Sequence, residues 1–125
     1  SYWMRGHENV ISRLQEHSPA ELSLSTITLA EILYGIEKSP HKKQERFSKI
    51  EQIRGLLDIY DFDQAAARAY AVVRAELELR GIPISELDVQ IAAIALANDL
   101  IVITHNVKEF ARVRNLEVRD WVHSR

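Results

Sequence analysis

The chain has 125 residues, 46% of them hydrophobic and 27% charged, enough for one domain with a core and too apolar for a disordered chain. Sixteen Lys and Arg against eighteen Asp and Glu leave a net charge of −2, so any nucleic-acid contact must come from a local patch. With no cysteine, disulfides, thiolate zinc sites and a cysteine nucleophile are excluded.

No apolar run reaches the roughly eighteen residues of a membrane span, and no secretory leader is recognisable. A soluble, cytoplasmic protein is the expectation. The order opens Ser1-Tyr2-Trp3 and its single methionine is Met4, which suggests an excerpt of a longer chain.

Residues 7–17 carry Val10, Ile11 and Leu14 at helical spacing, and Ser18-Pro19 ends that helix. Glu21 to Ile27 alternates apolar and polar residues as a short strand does. Thr28 to Lys38 reads as a helix ended by Ser39-Pro40. Residues 41–57 read as a polar, basic helix with Phe47, Ile50, Ile53 and Leu57 as its stripe. Asp58 to Phe62 has strand character. Asp63 to Arg80 is a long helix with an aspartate N-cap and Gly81 at C′. Ser85 to Asn98 is apolar after its first turn and reads as a buried helix. Leu100 to Thr104 is the continuous apolar run of a strand covered on both faces. A short helix over 107–113 and a last strand near Glu117–Val118 complete the series. Strands alternating with helices define a single α/β domain with a mainly parallel sheet.

The informative pattern lies at three helix starts: Thr28-Leu29-Ala30-Glu31, Ser85-Glu86-Leu87-Asp88 and Asn106-Val107-Lys108-Glu109. Each pairs an N-cap residue with an acid three positions on, so each acid can be read simply as a capping partner. Their joint placement says more. Helices that follow parallel strands start at the carboxyl edge of the sheet. Glu31 and Asn106 meet that condition directly; Asp88 meets it only if its helix reaches the same edge. Converging carboxylates in a partly dry crevice repel unless a cation neutralises them. All-oxygen ligation suits Mg²⁺ or Mn²⁺, which points to metal-assisted phosphodiester cleavage.

Thr104 stands beside this set as a supporting hydroxyl or an ordinary strand-end residue, and His105 reads as an exposed loop residue. The five histidines show no zinc-site spacing, and no phosphate-binding glycine motif or nucleophile elbow occurs. Lys108, Arg112 and Arg114, just past Asn106, are the basic group assigned to RNA phosphate contacts.

The runs ITLAEILYGIEKS, VRAELELRGIPISELDVQIAAIALA, IVITHNVKEFARV and LEVRDW closely resemble PIN-domain ribonucleases, specifically the VapC-type toxins of bacterial toxin–antitoxin pairs. The resemblance covers essentially the whole chain. It implies a Mg²⁺- or Mn²⁺-dependent endoribonuclease acting on structured RNA, with transfer RNA the expected substrate class. It also implies a homodimer and a cognate antitoxin whose C-terminal segment blocks the active-site groove.

In that resemblance Glu31 and Asp88 match the family's acidic metal ligands, and Thr104 matches its supporting threonine. Asn106 falls where many PIN domains carry a further aspartate. Glu109, one turn on, is an accessory acid. The family's first strand ends in an aspartate of an L-D-T-N sequence, which this sequence lacks. The expectation is therefore a PIN-like α/β domain over 1–125, N-terminally incomplete, with its first strand missing and Ser1-Tyr2-Trp3 opening the first helix. Such a chain would be catalytically impaired. The alternative function is a PIN-scaffold protein acting through antitoxin binding or self-association.

Overall fold

The computed structural model describes residues 2–4, 22–104 and 106–120. Five parallel strands, β1 (Tyr2–Met4), β2 (Leu22–Ser25), β3 (Asp58–Tyr60), β4 (Ile101–Thr104) and β5 (Val118–Asp120), form one sheet in the order β3-β2-β1-β4-β5. The helices are α1 (Thr26–Glu37), α2 (Lys43–Arg54), α3 (Gln64–Leu79), α4 (Glu86–Ala97) and α5 (Val107–Phe110). This is the expected α/β class. The helix expected over 7–17 lies outside the described residues.

One expectation is corrected. The sheet is not left without a middle strand, and Tyr2 and Trp3 do not open a helix: Tyr2–Met4 occupy the central position, with Trp3 in register with Ser23 on one side and Val102 on the other. A gap there would leave the facing backbone groups of β2 and β4 unpaired, and the aromatic pair Tyr2-Trp3 suits an extended chain. The strand nevertheless ends on Met4, so its Tyr2–Met4 stretch carries no carboxylate.

Element limits shift for local reasons. The strand expected over 21–27 ends at Ser25, because the Ser25 hydroxyl accepts the Thr28 amide at 2.9 Å and starts α1 two residues early. The helix expected over 41–57 contracts to Lys43–Arg54, with Ile50 and Ile53 of its stripe buried. The last helix stops at Phe110 and runs on only as turns. Asp63 caps α3 as expected, its carboxylate accepting the Ala66 amide at 3.0 Å. On the outer face of α3, Arg74 pairs with Glu78 at 3.2 Å and donates to the Tyr70 hydroxyl at 2.7 Å. These two contacts, Tyr70 first, hold the Arg74 guanidinium above its usual range.

The core is centred on α4. Val89, Ile91, Ala92, Ile94 and Ala95 pack with Ala66, Val73 and Leu77 of α3, with Val102 of β4 and with Phe110 of α5. Val102 and Ile103 are adjacent on β4 and both buried, so the sheet is covered on both faces. The α4 helix joins β4 through Asn98–Leu100, where Asp99 takes a left-handed conformation and the Leu100 amide returns to the Ala95 carbonyl. This tight reversal makes α4 antiparallel to β4.

At the end of α3, the Gly81 amide bonds the Glu78 carbonyl and the Ile82 amide the Leu77 carbonyl, with Gly81 at φ +71°. A Cβ at Gly81 would meet nothing within 4 Å, so its cost is one of backbone alone. Gly81→Ala should therefore destabilise the fold by roughly 1–2 kcal/mol, read as a lower urea midpoint with an unchanged slope.

Candidate active site

The antiparallel α4 answers the condition placed on Asp88: its first turn lies at the carboxyl edge of the sheet, where β4 ends. The side-chain amide of Asn106 donates to Asp88 Oδ2 at 3.3 Å, eighteen residues away in sequence. The Asn106 backbone amide donates to Thr104 Oγ1 at 2.9 Å. Thr104, Asn106 and Asp88 are thus one connected group, with Thr104 and Asp88 buried. Asp88 is 3% exposed, which is unusual for a carboxylate in a small domain.

The capping readings resolve differently at the three helix starts. At α4 the Ser85 hydroxyl accepts the Asp88 amide at 3.2 Å, so Asp88 does hold the third helical position of a capped turn. Its side chain, however, also receives the Asn106 amide from another element. At α1 the cap is Ser25 and not Thr28, so Glu31 sits in the second turn and does not complete a capping box. At α5 Asn106 occupies the cap position without making a side-chain cap bond; its amide is turned to Asp88 instead. The capping explanation is removed for Glu31 and for the Asn106 side chain. It survives in part for Asp88.

Ser25 also donates to Thr28 Oγ1 at 3.0 Å, and Ser23, Ser25 and Thr28 are all buried at the start of α1. The cap expected at Thr28 is thus displaced three residues, to Ser25, a residue expected within the strand. Glu31 is half-buried on α1, a helix that packs on α4. One carboxylate oxygen of Glu31 and one of Asp88 are closed to solvent.

The donor set is therefore two carboxylates, an amide and hydroxyls. It is all oxygen, and it suits a hard cation that keeps several waters and takes only one or two carboxylates from the protein. Among the described residues no three of Asp, Glu, His and Cys gather as a metal cluster, so Glu109 does not complete a three-acid group with Glu31 and Asp88. Glu109 is half-buried on α5.

Of the cations expected at the rim, Lys108 is exposed on α5. Arg112 donates to the Pro83 carbonyl at 3.0 Å, and Arg114 lies 3.5 Å from Glu76. His105 lies outside the described residues. A cavity of about 80 Å³ opens between α3, α4 and the Pro83-Ile84 turn, but neither Glu31 nor Asp88 lines it.

The PIN domain family profile matches residues 1–116. The tRNA(fMet)-specific endonuclease VapC of Shigella flexneri is 38% identical over 101 residues, covering 81% of this chain and 76% of that protein. Ribonuclease VapC2 of Rickettsia felis is 38% identical over 100 residues, covering 80% and 74%. Among solved structures, VapBC2 from Rickettsia felis bound to a DNA fragment from its promoter superposes with a TM-score of 0.80 at 31% identity, over 97% of this chain and 99% of that one. DNA-bound VapBC from Salmonella typhimurium gives a TM-score of 0.80 at 28% identity, over 97% and 98%. The chain belongs to the PIN-domain family, within its VapC branch of toxin–antitoxin ribonucleases.

The Asn106–Asp88 bond joins the two helix starts, and its acceptor is a buried carboxylate. Asn106→Ala should lower stability by roughly 1–3 kcal/mol, the cost of a lost bond to a buried charged group. Thermal denaturation checks this, and a midpoint equal to that of the unmodified chain would show that the bond carries no energy.

Proposed function

We propose that the chain is an endoribonuclease toxin that hydrolyses phosphodiester bonds in structured RNA with Mg²⁺ or Mn²⁺, and that a cognate antitoxin restrains it. The observation that carries this reading is Asp88, a buried carboxylate held at the sheet's carboxyl edge by Asn106, on a chain of the VapC branch. Transfer RNA is the proposed substrate class, in line with the tRNA(fMet) specificity in the name of the Shigella relative. An antitoxin is proposed because the structural neighbours are VapBC complexes. A homodimer, a cytoplasmic setting and a single domain over 1–125 complete the proposal. No described helix is long and apolar enough to cross a membrane.

In this reading Glu31 and Asp88 would hold the cation through their oxygens. The bound cation supplies Lewis-acid polarisation of a phosphoryl oxygen and lowers the pKa of a bound water. Asn106 fixes the Asp88 carboxylate by its amide, and Thr104 fixes Asn106 by accepting its backbone N–H. Lys108 meets an RNA phosphate as a mobile point charge, and Arg114 can exchange its long contact with Glu76 for a second phosphate.

A second reading is favoured by one feature: Met4, at the carboxyl end of the central strand, and Asn106 are both uncharged. Two carboxylates then carry the whole cation charge, and the chain would be an impaired nuclease that acts through binding its antitoxin or itself.

The two readings separate in one assay. Labelled transfer RNA is incubated with the chain, with and without Mn²⁺, beside Glu31→Gln and Asp88→Asn. Metal-dependent cleavage that falls by about 100-fold or more in both variants, the scale of losing groups that act on the transition state, supports the nuclease. Glu31→Gln should keep a near-normal melting temperature, because Glu31 is not a helix cap. Absence of cleavage together with tight antitoxin binding supports the second reading. Separately, Lys108→Ala should weaken RNA binding and lower the slope of log K against log salt by about 0.7–0.9, one phosphate contact. An unchanged slope would remove Lys108 from the interface.

A further inference from the structure

Asp88 and Asn106 belong to segments that are also joined away from the carboxylates, by two arginines. Arg112 Nη1 donates to the Pro83 carbonyl at 3.0 Å. In the opposite sense, Arg80 Nη2 donates to the Arg112 carbonyl at 2.5 Å. Arg80 is itself aimed by Glu76, whose Oε1 meets Arg80 Nε at 2.5 Å and Arg114 Nε at 3.5 Å.

Both ends of this link lead to the acid site within a few bonds. Pro83 precedes Ser85 by two residues, and the Ser85 hydroxyl and carbonyl accept the Asp88 and Val89 amides. Arg112 is tied back to Asn106 by successive turns: its amide bonds the Glu109 carbonyl, and the Phe110 amide bonds the Asn106 carbonyl. Phe110 is wholly buried between them. The two segments therefore meet twice, once at Asn106–Asp88 and once between Arg112, two residues past the end of α5, and Pro83, three residues before α4.

We propose that Arg112, aided by Arg80, is a positioning residue of the acid site and not a phosphate ligand. It fixes the spacing between the first turn of α4 and the start of α5, and so keeps the Asn106 amide on Asp88. The guanidinium suits this task because its planar fork fixes direction as well as charge, which an ammonium does not. A displacement of about 1 Å at such a site can cost on the order of 100-fold in rate. The proposal rests on the assignment of Asp88 and Asn106 to the active site made above.

The test compares Arg112→Gln and Arg112→Lys in the full chain. The expected result is a changed nitrogen and proton shift of the Asn106 side-chain amide, identified by its loss in Asn106→Ala. In RNA cleavage kcat should fall by about 10- to 100-fold, with KM and the salt dependence of RNA binding unchanged. The Lys variant should behave like the Gln variant. An alternative outcome is weaker RNA binding with a reduced salt slope, near-normal behaviour of the Lys variant and an unmoved Asn106 signal; this makes Arg112 a phosphate contact and overturns the proposal. A lower melting temperature with kcat per folded molecule and the Asn106 signal both unchanged also overturns it, by showing a purely structural link. Should Arg112→Gln fail to fold, Arg112→Lys gives the same readouts. If the unmodified chain cleaves no RNA, the functional reading fails, while the Asn106 shift still decides whether Arg112 sets the spacing.

Discussion

The burial of α4 is the constraint on which the site depends. After the first turn its residues are apolar save for Gln90, and its buried side chains are enclosed by α3, β4 and α5. A helix buried that way has one free choice left, its direction, and the short reversal at Asn98–Leu100 fixes it against β4. The only polar turn of α4 is then delivered to the carboxyl edge of a parallel sheet. Asp88 is placed by packing against its own solvation preference, and a carboxylate kept in such a position needs hydrogen bonds or a cation to be tolerable.

The rest of the edge supplies those partners. Four hydroxyl side chains, Ser23, Ser25, Thr28 and Thr104, are buried near it, and those of Ser25 and Thr104 start α1 and hold Asn106. Asn106 is released from capping its own helix and spends its amide on Asp88. A site of this kind is stiff at Asp88 and open at the surface. That combination suits a substrate that is long, charged and bound mainly from outside. The near-neutral total charge fits the same picture, because the cations that matter are few and local. Among these, Arg112 and Arg80 face the protein's own carbonyls, which leaves Lys108 as the freest of the expected contacts.

Much of this was legible in the residue order. The alternation of strands and helices, the aspartate cap of α3, the glycine ending it, the buried stretch at 101–104 and the all-round apolar character of α4 are local signals, each set by periodicity or by one side chain's bond to its own backbone. Glu31, Asp88, Thr104 and Asn106 were likewise visible as chemistry-bearing residues near helix and strand ends, and the structure joins Asp88, Thr104 and Asn106. The start of α1 was not. Thr28-Leu29-Ala30-Glu31 reads as the helix start, whereas Ser25 caps the helix from the end of a strand, where it pairs with Tyr60.

The sequence by itself determined the class of fold and the limits of most helices and strands, because these depend on side-chain chemistry and on period. Tertiary structure alone decided three things. It placed Tyr2–Met4 in the middle of the sheet, since backbone groups on both sides require a partner. It turned the Asn106 amide from a cap to Asp88. It also drew Arg112 away from solvent to the Pro83 carbonyl. Each of these is a contact between residues distant in sequence, and no local propensity encodes which distant partner a hydrogen-bonding group will meet.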